Sequence, residues 1–198
     1  MRRFVSRAGE KLEHALAVFA LDVKEAVCAD FGANAGGFTD CLLQRGADKV
    51  YAVDTGYGAL DWKLRRDSRV VVMERTNAMH LELDEEVDLV TIDVAWTKQR
   101  HILPAAWRAI KPTGHVVCLI KPHYEAPPKL LVKGVLPAGQ VDPVVQSVLA
   151  DIAAAGFEVL KTTPSPMLGS KGNIEVLALV RPRVPTGEPP LPVSSPHL

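Results

Sequence analysis

The sequence predicts a doubly wound α/β fold, with a mostly parallel seven-stranded sheet, helices on both faces and an antiparallel hairpin at one edge. Three observations predict it. Short, near-continuous runs of Val, Ile and Leu alternate with longer segments of helical period, as expected for strands covered on both faces by crossover helices. The stretch CADFGANAGGFTDCLL, residues 28–43, joins an apolar strand to an apolar helix through a glycine-rich turn. The last two strand-like runs are separated by a single loop rich in Pro, Ser and Gly, which suits a hairpin rather than a crossover.

The elements follow in order. Leu12, Ala15, Leu16 and Phe19 recur at i, i+3, i+4 and i+7, so an amphipathic helix is expected over residues 7–20. A strand at 26–31 leads through the glycines into a helix from 37 to 45. Further strands are expected at KVYAVD (49–54), RVVVME (69–74), VDLVTIDV (87–94), HVVCLIKP (115–122), GFEVLKTTP (156–164) and IEVLALVRP (174–182). Helical spans fall at 57–66, 97–110 and 142–155. Residues 1–181 read as one domain. Residues 182–198, PRVPTGEPPLPVSSPHL, have little to bury and read as a flexible tail.

Composition sets the bounds on function. At 47% hydrophobic over 198 residues the chain has enough apolar surface for a substantial core, which excludes a disordered protein. The formal net charge is zero, so any nucleic-acid binding must rest on a local basic patch. Cys28, Cys41 and Cys118 are odd in number and form no CxxC pair, which argues for a reducing, cytoplasmic compartment. No apolar run approaches the roughly 18 residues needed to span a bilayer, and the basic start lacks an apolar signal core. The six histidines show no ligand spacing, so no metal site is expected.

The glycine turn is the first chemical signal. Gly32, Gly36 and Gly37 do not match GxGxxG, so a pyrophosphate fits poorly and a nucleotide-like cofactor without phosphates fits better. Asp54 ends the second strand about twenty residues on, where a carboxylate accepts hydrogen bonds from ribose hydroxyls. Asp30, just before the turn, is expected to order the loop through backbone amides. Asn77, in ERTNAMHL, either meets the adenosine or is an ordinary turn residue.

In order along the chain, SRAGEKL, DFGANAGGFTDCLLQRGADKVYAVDTGYG, WKLRRDSRVVVMERTN, VDLVTIDV, LIKPHYEA and SKGNIEV resemble the FtsJ-like ribose methyltransferases, and most closely their TlyA group. The likeness runs from Phe4 to Val180. It implies a Rossmann-like fold binding S-adenosylmethionine and methylation of a ribose 2'-hydroxyl, with cytidines of ribosomal RNA as the substrate. Lys11 in SRAGEKL, Asp93 in TIDV, Lys121 in LIKP and Glu175 in GNIEV match the family's Lys-Asp-Lys-Glu tetrad. The expected cofactor contacts are Asp30, Gly32, Asn34, Gly36, Gly37, Phe38, Asp54, Asn77 and Asp93.

Those residue types suit the reaction. A ribose hydroxyl is a weak nucleophile that must be aligned and deprotonated. Lys121 is the expected base, with Lys11 a positive neighbour that lowers its pKa and with Asp93 and Glu175 opposing that shift. Glu175 reaches the same rim only if the last strand is antiparallel. Arg2, Arg3 and Arg7, or Lys63, Arg65 and Arg66, are the expected RNA patches. Trp96 is expected either to stack on a base or to pack inside, and residues 123–140 form a candidate lid. The TlyA group usually carries a small RNA-binding module before SRAGEKL, which is expected to be absent or cut away here. Two other functions remain open: methylation of a base nitrogen gripped by Asp93 and Trp96, and a membrane-active haemolysin or non-catalytic cofactor-binding protein.

Overall fold

The computed structural model describes residues 3–183. The elements are α1 (Ala8–Phe19), β1 (Val27–Phe31), α2 (Gly37–Gln44), β2 (Lys49–Val53), α3 (Trp62–Arg65), β3 (Val70–Met73), β4 (Val87–Ile92), α4 (Gln99–Ala109), β5 (Ile110–Ile120), α5 (Pro122–Glu125), α6 (Ala138–Ala154), β6 (Phe157–Pro164) and β7 (Val176–Pro182). They form one seven-stranded sheet in the order β3-β2-β1-β4-β5-β7-β6. The first five strands pair in parallel, and β7 pairs antiparallel with both β5 and β6. The predicted hairpin is therefore present, with β7 inside and β6 at the edge.

The aliphatic runs are explained by two cores, one on each face. Along β5, Val116, Cys118 and Ile120 point into the core shared with α4 and α6, while Val117 and Leu119 point into the core shared with α1 and α2. The same period-two alternation holds in β7, with Ala178 and Val180 on one side and Leu177 and Leu179 on the other. A strand buried on both faces is apolar at nearly every position, the buried Asp30 and Thr91 being hydrogen-bonded to each other. That is why these strands read as continuous runs.

Topology then positions the site. Parallel strands end at one edge, so the loops after β1, β2, β4 and β5 gather there. Because β7 runs the other way, Ile120 at the end of β5 pairs with Val176 at the start of β7. The last strand thus delivers its beginning to the rim where the others end.

Several boundaries differ from expectation. The helix expected at 57–66 is only Trp62–Arg65, started by the Asp61 carboxylate accepting from the Lys63 amide at 2.9 Å. Gly56 and Gly58, the latter at φ 73°, keep the preceding segment irregular. β5 begins five residues early at Ile110, with a register shift opposite Val87 and Leu89. A Cβ at Gly114 would lie 2.9 Å from the Asp88 carbonyl oxygen, so that irregularity needs a glycine. α6 starts at Ala138 and carries Pro143 near its beginning, and the segment after Lys121 contains the unforeseen α5. β7 extends to Pro182, and the rest of the expected tail from residue 184 lies outside the described residues, as does Arg2. Among the described residues no helix is long and apolar enough to cross a membrane.

Candidate active site

The exits of β1 and β4 touch. Gly32 has φ 89°, and a Cβ there would lie 2.7 Å from the carbonyl oxygen of Asp93. No side chain fits at that crossing. The Gly32 and Ala33 amides donate to the Val53 carbonyl at 2.9 and 3.0 Å, so the ends of β1 and β2 are fixed together.

Asp54 organises the next part of the wall. Its two oxygens accept from the amides of Asn34 at 2.9 Å and Gly56 at 2.7 Å, and Asn34 itself adopts φ 48°. Asn77 accepts from the Met79 amide at 3.0 Å and thereby starts the short turn Ala78–His80. Gly32, Asn34, Asp54, Asn77 and Asp93 all line one cleft of about 310 Å³, which a second space of about 210 Å³ adjoins through Gly32, Asn34 and Asp93. Phe38, Ser6 and Lys121 line that second space.

The lining chemistry tests the expected ligand. The larger cleft carries the carboxylates of Asp54 and Asp93 and is lined by no lysine or arginine. A pyrophosphate would meet repulsion there, whereas a phosphate-free cation with ribose hydroxyls fits. Each Asp54 oxygen accepts one amide and keeps a lone pair for a hydroxyl. S-adenosylmethionine has that chemistry.

Three expected cofactor contacts lie elsewhere. Gly36, at φ 93°, is packed under the Leu60 and Leu64 side chains, and a Cβ at Gly37 would lie 2.8 Å from the Gly9 amide nitrogen of α1. These two glycines let α2 approach α3 and α1, and neither lines the cleft. Asp30 is fully buried behind the wall and accepts from the Thr39 amide and hydroxyl at 3.0 and 2.7 Å and from the Thr91 hydroxyl at 3.0 Å. It fixes the start of α2, as expected of a loop-ordering residue, but offers no free face to a cofactor. Burial pushes its carboxyl up to about 7 against the pull of the two threonines.

The tetrad residues converge as two ion pairs. Lys121 Nζ lies 2.6 Å from Asp93 Oδ1 and donates to the Val94 carbonyl at 3.0 Å. Lys11 Nζ is paired directly with Glu175 Oε2. All four side chains are at most 18% exposed. Burial raises the Asp93 carboxyl above its ordinary value, while Lys121 and then Lys11 pull it back. Glu175 sits one residue ahead of β7 rather than within it, and the antiparallel strand brings it to the rim.

Two supporting residues were not singled out from the sequence. A Cβ at Gly169 would collide with the Glu175 carboxylate, so that glycine makes room for it. Asn173 is 1% exposed, accepts from the Leu136 amide at 3.0 Å, and donates to the carbonyls of Gly134 at 3.0 Å and Ser170 at 2.9 Å. It ties the candidate lid to the segment that leads into Glu175. The quoted GNIEV contains it, but a turn asparagine and an organising one look alike in sequence.

Trp96 is 83% exposed and packs against Tyr124 with ring centroids 4.9 Å apart and the planes tilted by 45°, and Tyr124 in turn meets His123 at 4.1 Å. It is not a core residue. Both expected basic patches are partly neutralised: Arg3 pairs with Glu13 at 2.9 Å, Lys63 with Asp40 at 3.3 Å, and Arg65 with Glu74. All three cysteines are free and buried. Among the described residues no group of three or more His, Cys, Asp or Glu is placed to hold a metal ion.

The chain is similar to known proteins. The chain is 42% identical over 190 residues to TlyA of Mycobacterium tuberculosis, named a 16S/23S rRNA (cytidine-2'-O)-methyltransferase, across 91% of this chain and 69% of that one. It is 40% identical to Hemolysin A of Brachyspira hyodysenteriae, across 89% of this chain and 76% of that protein. The solved structure of a hemolysin-named protein from Streptococcus thermophilus superposes with a TM-score of 0.89 at 39% identity, covering 98% of this chain and 72% of that one. An S-adenosylmethionine dependent methyltransferase from Mesorhizobium loti, 15% identical, shares the fold at a TM-score of 0.63 over 85% of this chain and 96% of that one. The sequence model of the FtsJ-like methyltransferases matches residues 4–181. With that match spanning nearly all of the described chain, the protein belongs to the FtsJ-like methyltransferase family.

Proposed function

We propose that the protein transfers a methyl group from S-adenosylmethionine to the 2'-hydroxyl of a cytidine ribose in ribosomal RNA, which places it in the cytoplasm. The observation that carries this reading is the Lys121–Asp93 pair, set beside Lys11–Glu175 at the end of a cleft whose charge suits a phosphate-free cation. The similarity to TlyA supports the choice of a cytidine in ribosomal RNA.

Asp54, Asn34 and Asn77 would hold the adenosine part, and Gly32 and Asp93 the amino-acid part. The bound cofactor supplies an electrophilic methyl group on sulfur. Asp93 holds the Lys121 amine at the rim, and Glu175 does the same for Lys11. Lys121 is the group placed to accept the proton of the 2'-hydroxyl as the oxygen attacks. Lys11 orients the ribose. The exposed Trp96 ring offers a surface for the target base.

The test is transfer of labelled methyl from S-adenosylmethionine to ribosomal subunits and free ribosomal RNA, followed by nucleoside analysis. Label in 2'-O-methylcytidine supports the proposal. Label on a base nitrogen would replace it with the alternative methyl transfer. Leakage of lipid vesicles that persists in Lys121→Ala, with no methyl transfer, would favour the haemolysin reading.

A further inference from the structure

A second concavity lies outside the cofactor cleft. It is an open groove of about 880 Å³ between the Ala78–His80 turn and α4, within the roughly 300–1,000 Å³ of ligand clefts. Trp96 and Thr97 line both spaces, so the groove adjoins the cofactor cleft beside the ring proposed above to face the target base.

Its walls combine two chemistries. Met79, Trp96 and Pro104 give an apolar floor, and Lys98, His101 and Arg108 line the α4 side. Two of these cations are held by backbone carbonyls, with the Glu125 carboxylate acting on Lys98 from further away. Arg108 donates to the carbonyls of Met79 at 2.8 Å and Pro104 at 3.2 Å, and Lys98 donates to the Glu125 carbonyl at 2.9 Å. Among the described residues neither forms an ion pair, in contrast to Arg3, Lys63 and Arg65 of the patches expected from sequence. Burial, then the charges of Arg100 and Lys98, hold the His101 imidazole below its ordinary value, in keeping with crowded positive charge. Glu82 lines the groove as well and keeps a phosphate path to the α4 side. Aromatic and apolar floors take bases and fixed cations take phosphates, the pairing that single-stranded nucleic acid requires.

We propose that this groove binds the unpaired RNA strand next to the target nucleotide, with the neighbouring base on Met79 and Pro104 beyond the Trp96 ring and backbone phosphates on Lys98 and Arg108. The inference rests on the RNA methyltransferase reading. It adds which face of the protein the substrate crosses, and assigns RNA contact to α4 rather than to the amino-terminal or α3 basic residues.

The test compares wild type with Lys98→Gln/Arg108→Gln, which keeps a donor for each carbonyl and removes both charges. Affinity for S-adenosylmethionine is expected to be unchanged, showing that the Ala78–His80 turn is intact. KM for ribosomal RNA should rise about tenfold or more with kcat within about twofold, and the slope of log affinity against log salt should fall by about 1 to 1.5. Unchanged KM and slope in a variant that binds cofactor would overturn the groove assignment. If wild type transfers no methyl to RNA, the functional reading has failed, and direct binding of a labelled single-stranded RNA decides the groove alone. Equal affinity of both proteins for it overturns the proposal. Loss of activity on ribosomal subunits with unaltered binding to free RNA would assign the groove to a ribosomal protein and likewise overturn it.

Discussion

Lys121 and Asp93 lie 2.6 Å apart at the ends of adjacent parallel strands, and the carbonyl of the same Asp93 closes over Gly32 so tightly that no side chain fits there. The proposed base and the floor of the cofactor cleft therefore share one backbone segment. A change at either is expected to be felt by the other.

Replacing Lys121 by Ala removes the proposed base, so kcat for RNA methylation should fall by about 10²–10⁴. Affinity for S-adenosylmethionine should stay within a few-fold, as measured by calorimetry. Lys121→Arg should not restore the rate, because a guanidinium does not give up its proton near neutral pH.

Gly169→Ala places a methyl group against the Glu175 carboxylate. Methylation should drop at least tenfold while cofactor affinity holds, since Glu175 and Lys11 lie outside the larger cleft. Gly139 is the control: a Cβ there meets nothing within 4 Å, and it lies in α6. Gly139→Ala should leave activity alone and stabilise by up to about 1 kcal/mol, read by denaturant unfolding.

Asn173→Ala removes three side-chain hydrogen bonds and strands the buried Leu136 amide. A loss of about 2–4 kcal/mol is expected. Hydrogen exchange should show faster exchange at residues 132–136 before global unfolding, because Asn173 is what fastens that segment.

Asp30 sets a pH dependence. Its folded-state carboxyl is raised from the usual 3.8 to about 7 by burial, so the stability it contributes is present below about pH 4 and is lost as pH rises towards 7. Asp30→Asn keeps the shape and carries no charge. The variant should melt a few degrees higher than wild type at pH 8, with the difference shrinking towards pH 4. A gap that widens on acidification would contradict this.

Much of this was legible in the sequence, for identifiable reasons. The strands were readable because burial on both faces forces unbroken aliphatic runs, as in β5 and β7. Asp54, Asp93 and Lys121 were readable because each directly follows such a run, and a strand's end is where the cleft lies. Gly36, Gly37 and Asp30 lie outside the lining of the cleft for a common reason. A missing side chain can admit a ligand or a neighbouring helix, and an acid at a strand end can face either side of the turn; only the packing of α1 and α3 on α2 decides between them. The expected helix at 57–66 failed because its apolar residues lie in a segment that Gly56 and Gly58 keep irregular. The groove along α4 was invisible, since whether a cation is neutralised depends on acids distant in sequence.

The central claim is that the Lys121–Asp93 pair deprotonates a ribose hydroxyl. The most direct test is methylation of a ribosomal RNA fragment by wild type and Lys121→Ala, alongside the same fragment carrying 2'-deoxycytidine at the modified position. Label in wild type that disappears with either change is the predicted result. Label that persists on the 2'-deoxy fragment would contradict it, because the acceptor would then not be the 2'-hydroxyl.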